Sequence, residues 1–292
     1  MSRSSQDLLG SYRLLNVVMT GQTSQVWEVI DDSKTQRFAL KILLSDFRHV
    51  REHVAFLKNE YFVGKALQHP RVIRIYEYGA DKISPYLVME LYPHPNMKQL
   101  LRRGIDQIGY LVPQVIGQAA EALAYFNDQG WVHRDIKPDN FLVSPKGDVK
   151  LIDFAMATKP KTGLAKLFAF KTKTQGTRSY MSPEQIRGQA LDTRADVYSF
   201  GCSIFELVGG RAPFTGVSST DLLTKHLKSP PPPLAAANSN VTPEFADLIR
   251  RTLAKRPEDR PESAGEFLRE FRTLRVFKEM PKPPADRKQN AG

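Results

Sequence analysis

The hydrophobic period of this chain changes at Pro93-His94-Pro95. Before that point, short runs rich in β-branched and apolar residues alternate with polar turns, a pattern that predicts strands over residues 12–18, 26–30, 38–44, 72–78 and 86–91. Residues 47–68 interrupt them with a predicted helix, in which Val50, Val54, Leu57 and Tyr61 recur every three or four positions. His69-Pro70 ends it, because proline disfavours helix in the residue before it. After Pro95 the pattern is helical over 97–103, 112–129, 192–209, 218–228, 243–254 and 263–273, with short paired strands at 141–143 and 149–152. Pro230 to Pro233 forms a rigid extended spacer. Strands first and helices afterwards indicate an α+β chain.

Composition sets the outer limits. A chain of 292 residues can bury a large core, as one domain or two lobes. With 41% hydrophobic and 25% charged residues, it has the make-up of an ordinary globular protein. The single cysteine, Cys202, rules out an internal disulfide and suits a reducing compartment. Its apolar neighbours predict a buried structural thiol. There is no apolar run of 18 residues and no signal-peptide pattern at residues 1–7, so the expectation is a cytoplasmic chain without a membrane span. It could also be the soluble part of something longer, with residues 278–292 as a linker. The net charge of +11 invites a nucleic-acid hypothesis, but part of the excess is local. Between Phe154 and Pro183 there are six basic residues and no acidic one, either a solvated loop or a surface for acidic groups.

The densest chemistry lies in His133-Arg134-Asp135-Ile136-Lys137-Pro138-Asp139-Asn140. A carboxylate, an ammonium and a carboxamide fall within six residues. Asp135 can accept a proton from a hydroxyl. Lys137 can neutralise charge on phosphate oxygens. Asn140 offers a neutral oxygen to a hard cation. This stretch resembles the catalytic loop H-R-D-x-x-x-x-N of the protein-kinase family, and the family's other motifs follow the same order from about Tyr12 to Phe277.

That resemblance implies a bilobal fold. The N-lobe, residues 12–92, would hold a five-stranded antiparallel sheet and one helix, and a mainly helical C-lobe would span 96–277, with 1–11 as a flexible N-terminus and 278–292 as a polar tail. It implies transfer of the γ-phosphoryl of ATP to protein substrates, with Mg²⁺ (or Mn²⁺ in its place) as metal. Lys41 would bind the α- and β-phosphates, held by Glu60 on the following helix; taken alone, each is an ordinary surface charge. Asp153, in Asp153-Phe154-Ala155, matches the metal-binding aspartate of D-F-G, with Asn140 as the second ligand. Val26, Ala39 and Leu142 would sandwich adenine. Met89 would gate the back of that pocket, and Glu90 to Tyr92 would supply backbone hydrogen bonds. Ser182-Pro183-Glu184 stands where A-P-E is usual, with Glu184 expected to pair with Arg260. Asp196 would brace the catalytic-loop backbone. Lys137 and Thr177, the latter at the substrate-binding end, favour Ser/Thr over Tyr acceptors. Thr172 and Thr174 are candidate phosphosites for Arg134, filled by self-phosphorylation in trans or with an activating partner. The connector at Pro230 to Leu234 and the phrase Tyr180-Met181-Ser182-Pro183-Glu184-Gln185 look most like bacterial-type members.

Three departures stand out. Met19, Gly21 and Ser24 occupy the three glycine places of G-x-G-x-x-G, which predicts weaker nucleotide binding. Ala155 replaces the glycine of D-F-G and restricts the backbone. Gly64, four residues after Glu60, stands where the family usually has a bulky apolar residue against Phe154. The expectation is empty space, a helix weakened by roughly 1 kcal/mol, and a gain of basal activity in Gly64→Leu. The segment before Glu184 also carries an apolar patch at 164–170, whose exposure would be costly. These departures keep open a pseudokinase scaffold with weak nucleotide binding. A small-molecule kinase is disfavoured by Thr177, Glu184 and Arg260. A nucleic-acid binder has no recognition motif to support it.

Overall fold

The structure, a computed structural model, describes residues 8–31, 36–81, 84–160 and 178–284. Thr172, Thr174, Thr177 and the apolar patch at 164–170 lie outside the described residues. The described chain forms two compact units, one made of residues up to His94 together with Ile152–Ala157, the other of the remainder.

The first unit is an antiparallel sheet with one helix. Its strands are β1 (Leu8–Leu9), β2 (Tyr12–Thr20), β3 (Ser24–Asp31), β4 (Gln36–Leu43), β5 (Ile75–Ala80) and β6 (Pro85–Met89), in the order β1-β2-β3-β4-β6-β5. The sheet thus has six strands where five were expected. The added strand lies in the stretch read as a flexible N-terminus. Leu9 is buried with Tyr12, Val29, Phe38, Leu40, Tyr86 and Val88, and that burial holds so short a strand in place. Gly10 turns the chain between β1 and β2 at φ +60° and donates its N–H to Asp81 Oδ2 at 3.0 Å. The apolar cluster covers one face of the sheet. Cross-strand partners share a face, so Val26, Ala39, Lys41, Leu87 and Met89 stand together on the other. Helix α1 (Arg51–Gly64) packs along β5 and β6 and buries Leu57, Glu60, Val63 and Gly64.

The second unit is mainly helical. It contains α2 (Met97–Leu101), α3 (Ile105–Ile108), α4 (Val112–Asp128), the strand pair β7 (Phe141–Val143) and β8 (Val149–Leu151), α5 (Pro183–Ile186), α6 (Thr193–Gly209), α7 (Ser219–Lys228), α8 (Leu234–Ala237), α9 (Pro243–Thr252) and α10 (Ala264–Phe271). The longer helices match the periodicity, whereas the one-turn helices α3, α5 and α8 were not expected. Helix α6 is buried almost throughout, including Cys202, whose thiol burial pushes up. A Cβ at Gly201 would stand 2.0 Å from Thr252 Oγ1, so glycine there lets α6 and α9 approach closely. Beyond Phe277 the chain stays bound to this unit. Lys278 N–H donates to the Asn240 carbonyl at 2.7 Å, and the Pro281 ring lies over Gly109. No helix among the described residues is long and apolar enough to cross a membrane.

Candidate active site

In the first unit, Lys41 extends from β4 between two carboxylates. Its Nζ donates to Glu60 Oε2 at 2.7 Å and to Asp153 Oδ1 at 3.3 Å. Burial pushes the Lys41 ammonium down, but Asp153 and Glu60 outweigh it and hold the group above the ordinary lysine range. Burial pushes Glu60 up to about 7, against the attraction of Lys41 and with added repulsion from Asp153. Asp153 is the more accessible carboxylate, its side chain 34% exposed against 3% for Glu60.

Asp153 sits at φ +66°, a left-handed backbone that costs a residue with a Cβ of order 1–3 kcal/mol. Three contacts with α1 hold this segment. The Phe154 N–H is hydrogen-bonded to the Glu60 carboxylate. Asn59 Nδ2 donates to the carbonyls of Ala155 at 2.9 Å and Ala157 at 3.0 Å. The apolar contact lies at Gly64, and there the expectation of empty space is overturned. A Cβ at Gly64 would fall 2.3 Å from Ile75 Cδ1 and 3.0 Å from Phe154 Cδ2, because Ile75 of β5 already fills the volume. A leucine at this position therefore has no void to occupy, and the gain of activity expected for Gly64→Leu is replaced by a loss.

The glycine-poor loop is the tip of the β2–β3 hairpin. Met19 is paired with Val26 and half-exposed, Ser24 opens β3, and Gly21 N–H closes the turn on the Ser24 carbonyl at 2.8 Å. A Cβ at Gly21 would meet nothing closer than that carbonyl, at 3.4 Å. Gly21→Ala should therefore leave the melting temperature unchanged. If the backbone there comes close to a phosphate, the added Cβ stands in the way and should raise KM for ATP about tenfold, or about 1.4 kcal/mol. Initial rates over a range of ATP concentrations measure this.

In the second unit, Lys137 Nζ donates to Asp135 Oδ2 at 2.6 Å. Asn140 Nδ2 donates to the Asp135 carbonyl at 2.7 Å, which leaves the amide oxygen as a neutral hard donor. That amide oxygen and, in the first unit, the carboxylate of Asp153 are each hard donors of the kind that suits Mg²⁺ rather than a soft metal. The loop backbone is held from below by Asp196 in the first turn of α6. Its Oδ2 accepts from His133 N–H at 2.7 Å and Asn127 Nδ2 at 3.0 Å, and its Oδ1 from Arg134 N–H at 2.9 Å. Burial pushes Asp196 up, while His133 and these donors pull it down. Arg134 has φ +69°, and Gln185 Nε2 fixes its carbonyl at 2.7 Å. Glu184 and Arg260 form the expected pair, bidentate at 2.7 and 2.9 Å and fully desolvated on the arginine side.

Residues 12–270 match the family model of the protein kinase domain. This chain belongs to the protein kinase family. It is 34% identical over 287 residues to serine/threonine-protein kinase PknA of Mycobacterium tuberculosis, covering 94% of this chain and 64% of that protein. It is 31% identical over 269 residues to serine/threonine-protein kinase PknB of Mycolicibacterium smegmatis, covering 90% of this chain and 42% of PknB. A probable serine/threonine-protein kinase of Streptomyces coelicolor matches at 31% over 268 residues, 88% of this chain and 39% of that protein. The chain thus spans less than two thirds of these relatives.

Within this kinase domain the sequence-derived candidates fall into two sets. Met19, Gly21, Val26, Ala39, Lys41, Glu60, Met89, Glu90, Tyr92 and Asp153 belong to the first unit, and Asp135, Lys137, Asn140 and Leu142 to the second. Sequence reasoning missed Asn59, Asn127 and Gln185. Gln185 had a local signal, since Ser182 and Gln185 form a capping box at the start of α5. It also missed the buried group in which Lys98 of α2 and Tyr180 both bond Glu206 of α6, Tyr180 Oη donating at 2.6 Å.

Proposed function

We propose that this kinase domain transfers the γ-phosphoryl group of ATP to serine or threonine hydroxyls of protein substrates. The observation that carries this reading is Lys41 held between Glu60 and Asp153, a charge arrangement suited to a polyphosphate and a metal. Asn140 and Asp153 are the residues we assign to Mg²⁺, or to Mn²⁺ in its place, which when bound neutralises phosphate charge. Val26, Ala39, Met89 and Leu142 are assigned to the adenine, together with the backbone of Glu90 to Tyr92, and Met19 and Gly21 to the sugar and phosphates.

The remaining chemistry belongs to Asp135 and Lys137. Asp135 accepts the hydroxyl proton as the acceptor oxygen attacks. Lys137 holds that carboxylate in one rotamer and offsets charge spreading over the transferred group. Lys137 and Thr177, together with the names of the relatives, support Ser/Thr acceptors. The cytoplasm, where ATP is supplied, is the compartment we propose, and the buried lone thiol suits it. The deciding experiment incubates the domain with labelled ATP, Mg²⁺ and a generic protein acceptor. Label should appear on Ser and Thr, and Asp135→Asn should cut turnover about 10³-fold with its melting temperature retained. Equal labelling by both proteins overturns the reading. Absence of labelling in both favours the scaffold.

Activation belongs to the same proposal. Arg134 uses its backbone, not its guanidinium, in the bonds described above, and its Nε is buried without a hydrogen-bond partner among the described residues. Phosphate on Thr172 or Thr174, added in trans by a second copy or by a partner kinase, would supply the missing anion. Protein made in a kinase-free host with Thr172→Ala and Thr174→Ala should lose about tenfold in activity relative to the self-phosphorylated parent. Intact-mass measurement before and after incubation with Mg-ATP reports the modification, and full activity of the double variant removes the switch.

A further inference from the structure

We infer that His226 of α7 is a positioning residue for the protein acceptor, because its imidazole ties the segment Arg178-Ser179-Tyr180 to helix α6. The inference rests on the reading above that the stretch around Thr177 receives that acceptor. Helix α7 carries three leucines, yet the residue it buries completely is none of them. His226 is the only buried one of its ten residues, while Leu222, Leu223 and Leu227 are half-buried. The imidazole lies against the rings of Phe214 and Tyr198, with centroids 4.9 and 5.8 Å away. Its Nδ1 stands 2.9 Å from Tyr198 Oη. Its Nε2 is buried and has no hydrogen bond of ordinary length among the described residues. Stripping two ring nitrogens of water is costly when one of them is poorly repaid. A leucine or phenylalanine would fill this space without that cost, so packing alone does not account for the histidine.

The chemistry of the ring decides what it does there. Burial and the charge of Lys255 hold His226 down to about 4, so at neutral pH the imidazole has one N–H and one lone pair. Burial pushes the Tyr198 phenol up, so it keeps its proton and can donate it to Nδ1. The ring proton then sits on Nε2. The backbone of Ser179 acts on the ring in the direction that favours protonation, as a carbonyl facing an N–H does. His226 therefore links Tyr198 of α6 to the backbone of Ser179. The residues on either side of Ser179 are held as well. Arg178 Nη1 donates to Ser219 Oγ in the first turn of α7 at 2.6 Å, and Tyr180 Oη donates to Glu206 Oε2 of α6 at 2.6 Å. Two of these three ties come from α7, and His226 is what anchors that helix. Displacing the imidazole releases Ser179 and shifts the platform on which Arg178 rests. None of these residues is among those assigned to nucleotide or metal, so the effect falls on the acceptor.

Three substitutions that each keep part of the imidazole test this. His226→Gln reaches as far as Nε2 with an N–H and gives up the Tyr198 bond. His226→Asn keeps a partner for Tyr198 and stops short of Ser179. His226→Phe keeps a ring and removes both contacts; the Asn and Gln pair carries the comparison if it does not fold. With dephosphorylated casein as acceptor, the Phe and Asn variants should raise KM for casein about tenfold and leave KM for ATP within about twofold of the parent. The Gln variant should return KM for casein to within about threefold. A parental KM for casein in His226→Phe overturns the inference. So do equal losses in the Asn and Gln variants that follow the melting temperature, or a KM for ATP that rises in step. Hydrogen exchange supplies a readout that needs no activity: amides of residues 178–180 should exchange about tenfold faster in the Phe and Asn variants and near the parental rate in the Gln variant. If the parent labels no casein, the acceptor reading has failed by itself; faster exchange then still supports the tie between His226 and Ser179, and unchanged exchange in His226→Phe overturns it.

Discussion

Arg260→Ala should lower the unfolding free energy of this kinase domain by about 3–5 kcal/mol, the cost of leaving one member of a buried ion pair alone. The guanidinium is wholly buried and meets both oxygens of Glu184 at 2.7 and 2.9 Å. It also donates to the carbonyls of Arg194 at 2.8 Å and Ala254 at 2.8 Å, and stacks 4.9 Å over the Tyr198 ring. Removing it strands a carboxylate at the start of α5 and three elements lose a common donor. Adding Glu184→Gln to Arg260→Ala keeps the shape and removes the stranded charge, so the double variant should recover roughly half of that loss. Urea unfolding of the three proteins separates a charge effect from a packing effect. Equal stability of Arg260→Ala and the parent would mean that the pair contributes nothing net.

The same residues show which parts of the site were legible in sequence. Glu184 and Arg260 lie 76 residues apart, and only their motifs linked them. Lys41 and Glu60 sit on a strand and a helix whose periodicities are unambiguous, so their partnership followed from element type and the family pattern. The fate of Gly64 was not legible. A glycine shows that a side chain is absent, but what fills the space is decided by Ile75 and by Phe154, ninety positions on in the chain. Packing of that kind leaves no local trace. The same holds for Asn59, whose carboxamide bonds carbonyls nearly a hundred residues away, and for Glu206, reached by Lys98 from 108 positions earlier. Leu8–Leu9 escaped notice for another reason. Two residues cannot display a period, and it is the burial of Leu9 with Tyr12 and Tyr86 that holds them as a strand. The one-turn helices α3, α5 and α8 are likewise too short to carry a repeat.

Lys41→Met should lower turnover by about 10²–10³, the usual worth of one preorganised charge at a reacting centre, and should also change how stability depends on pH. Burial is what raises Glu60 to about 7, and Asp153 pushes in the same direction. Lys41 is what draws it back, through both charge and hydrogen bond. With methionine in its place only the upward influences from burial and Asp153 gain ground, so Glu60 takes up a proton at a still higher pH. A carboxyl group whose folded pKa lies above its unfolded value of 4.5 favours the folded state when protonated. That contribution is complete below the unfolded value and is lost as pH rises through the folded one. The variant should thus approach the parent in stability near pH 5 and fall behind it progressively toward pH 8, where the uncompensated carboxylate must either ionise in a buried site or unfold the segment around it. Lys41→Arg, which restores a cation without the same reach, should recover the stability at pH 8 and little of the turnover. Thermal melts of the three proteins across this pH range, run beside initial-rate measurements, decide the matter: a constant gap between Lys41→Met and the parent at every pH would show that Glu60 is not the group Lys41 keeps ionised.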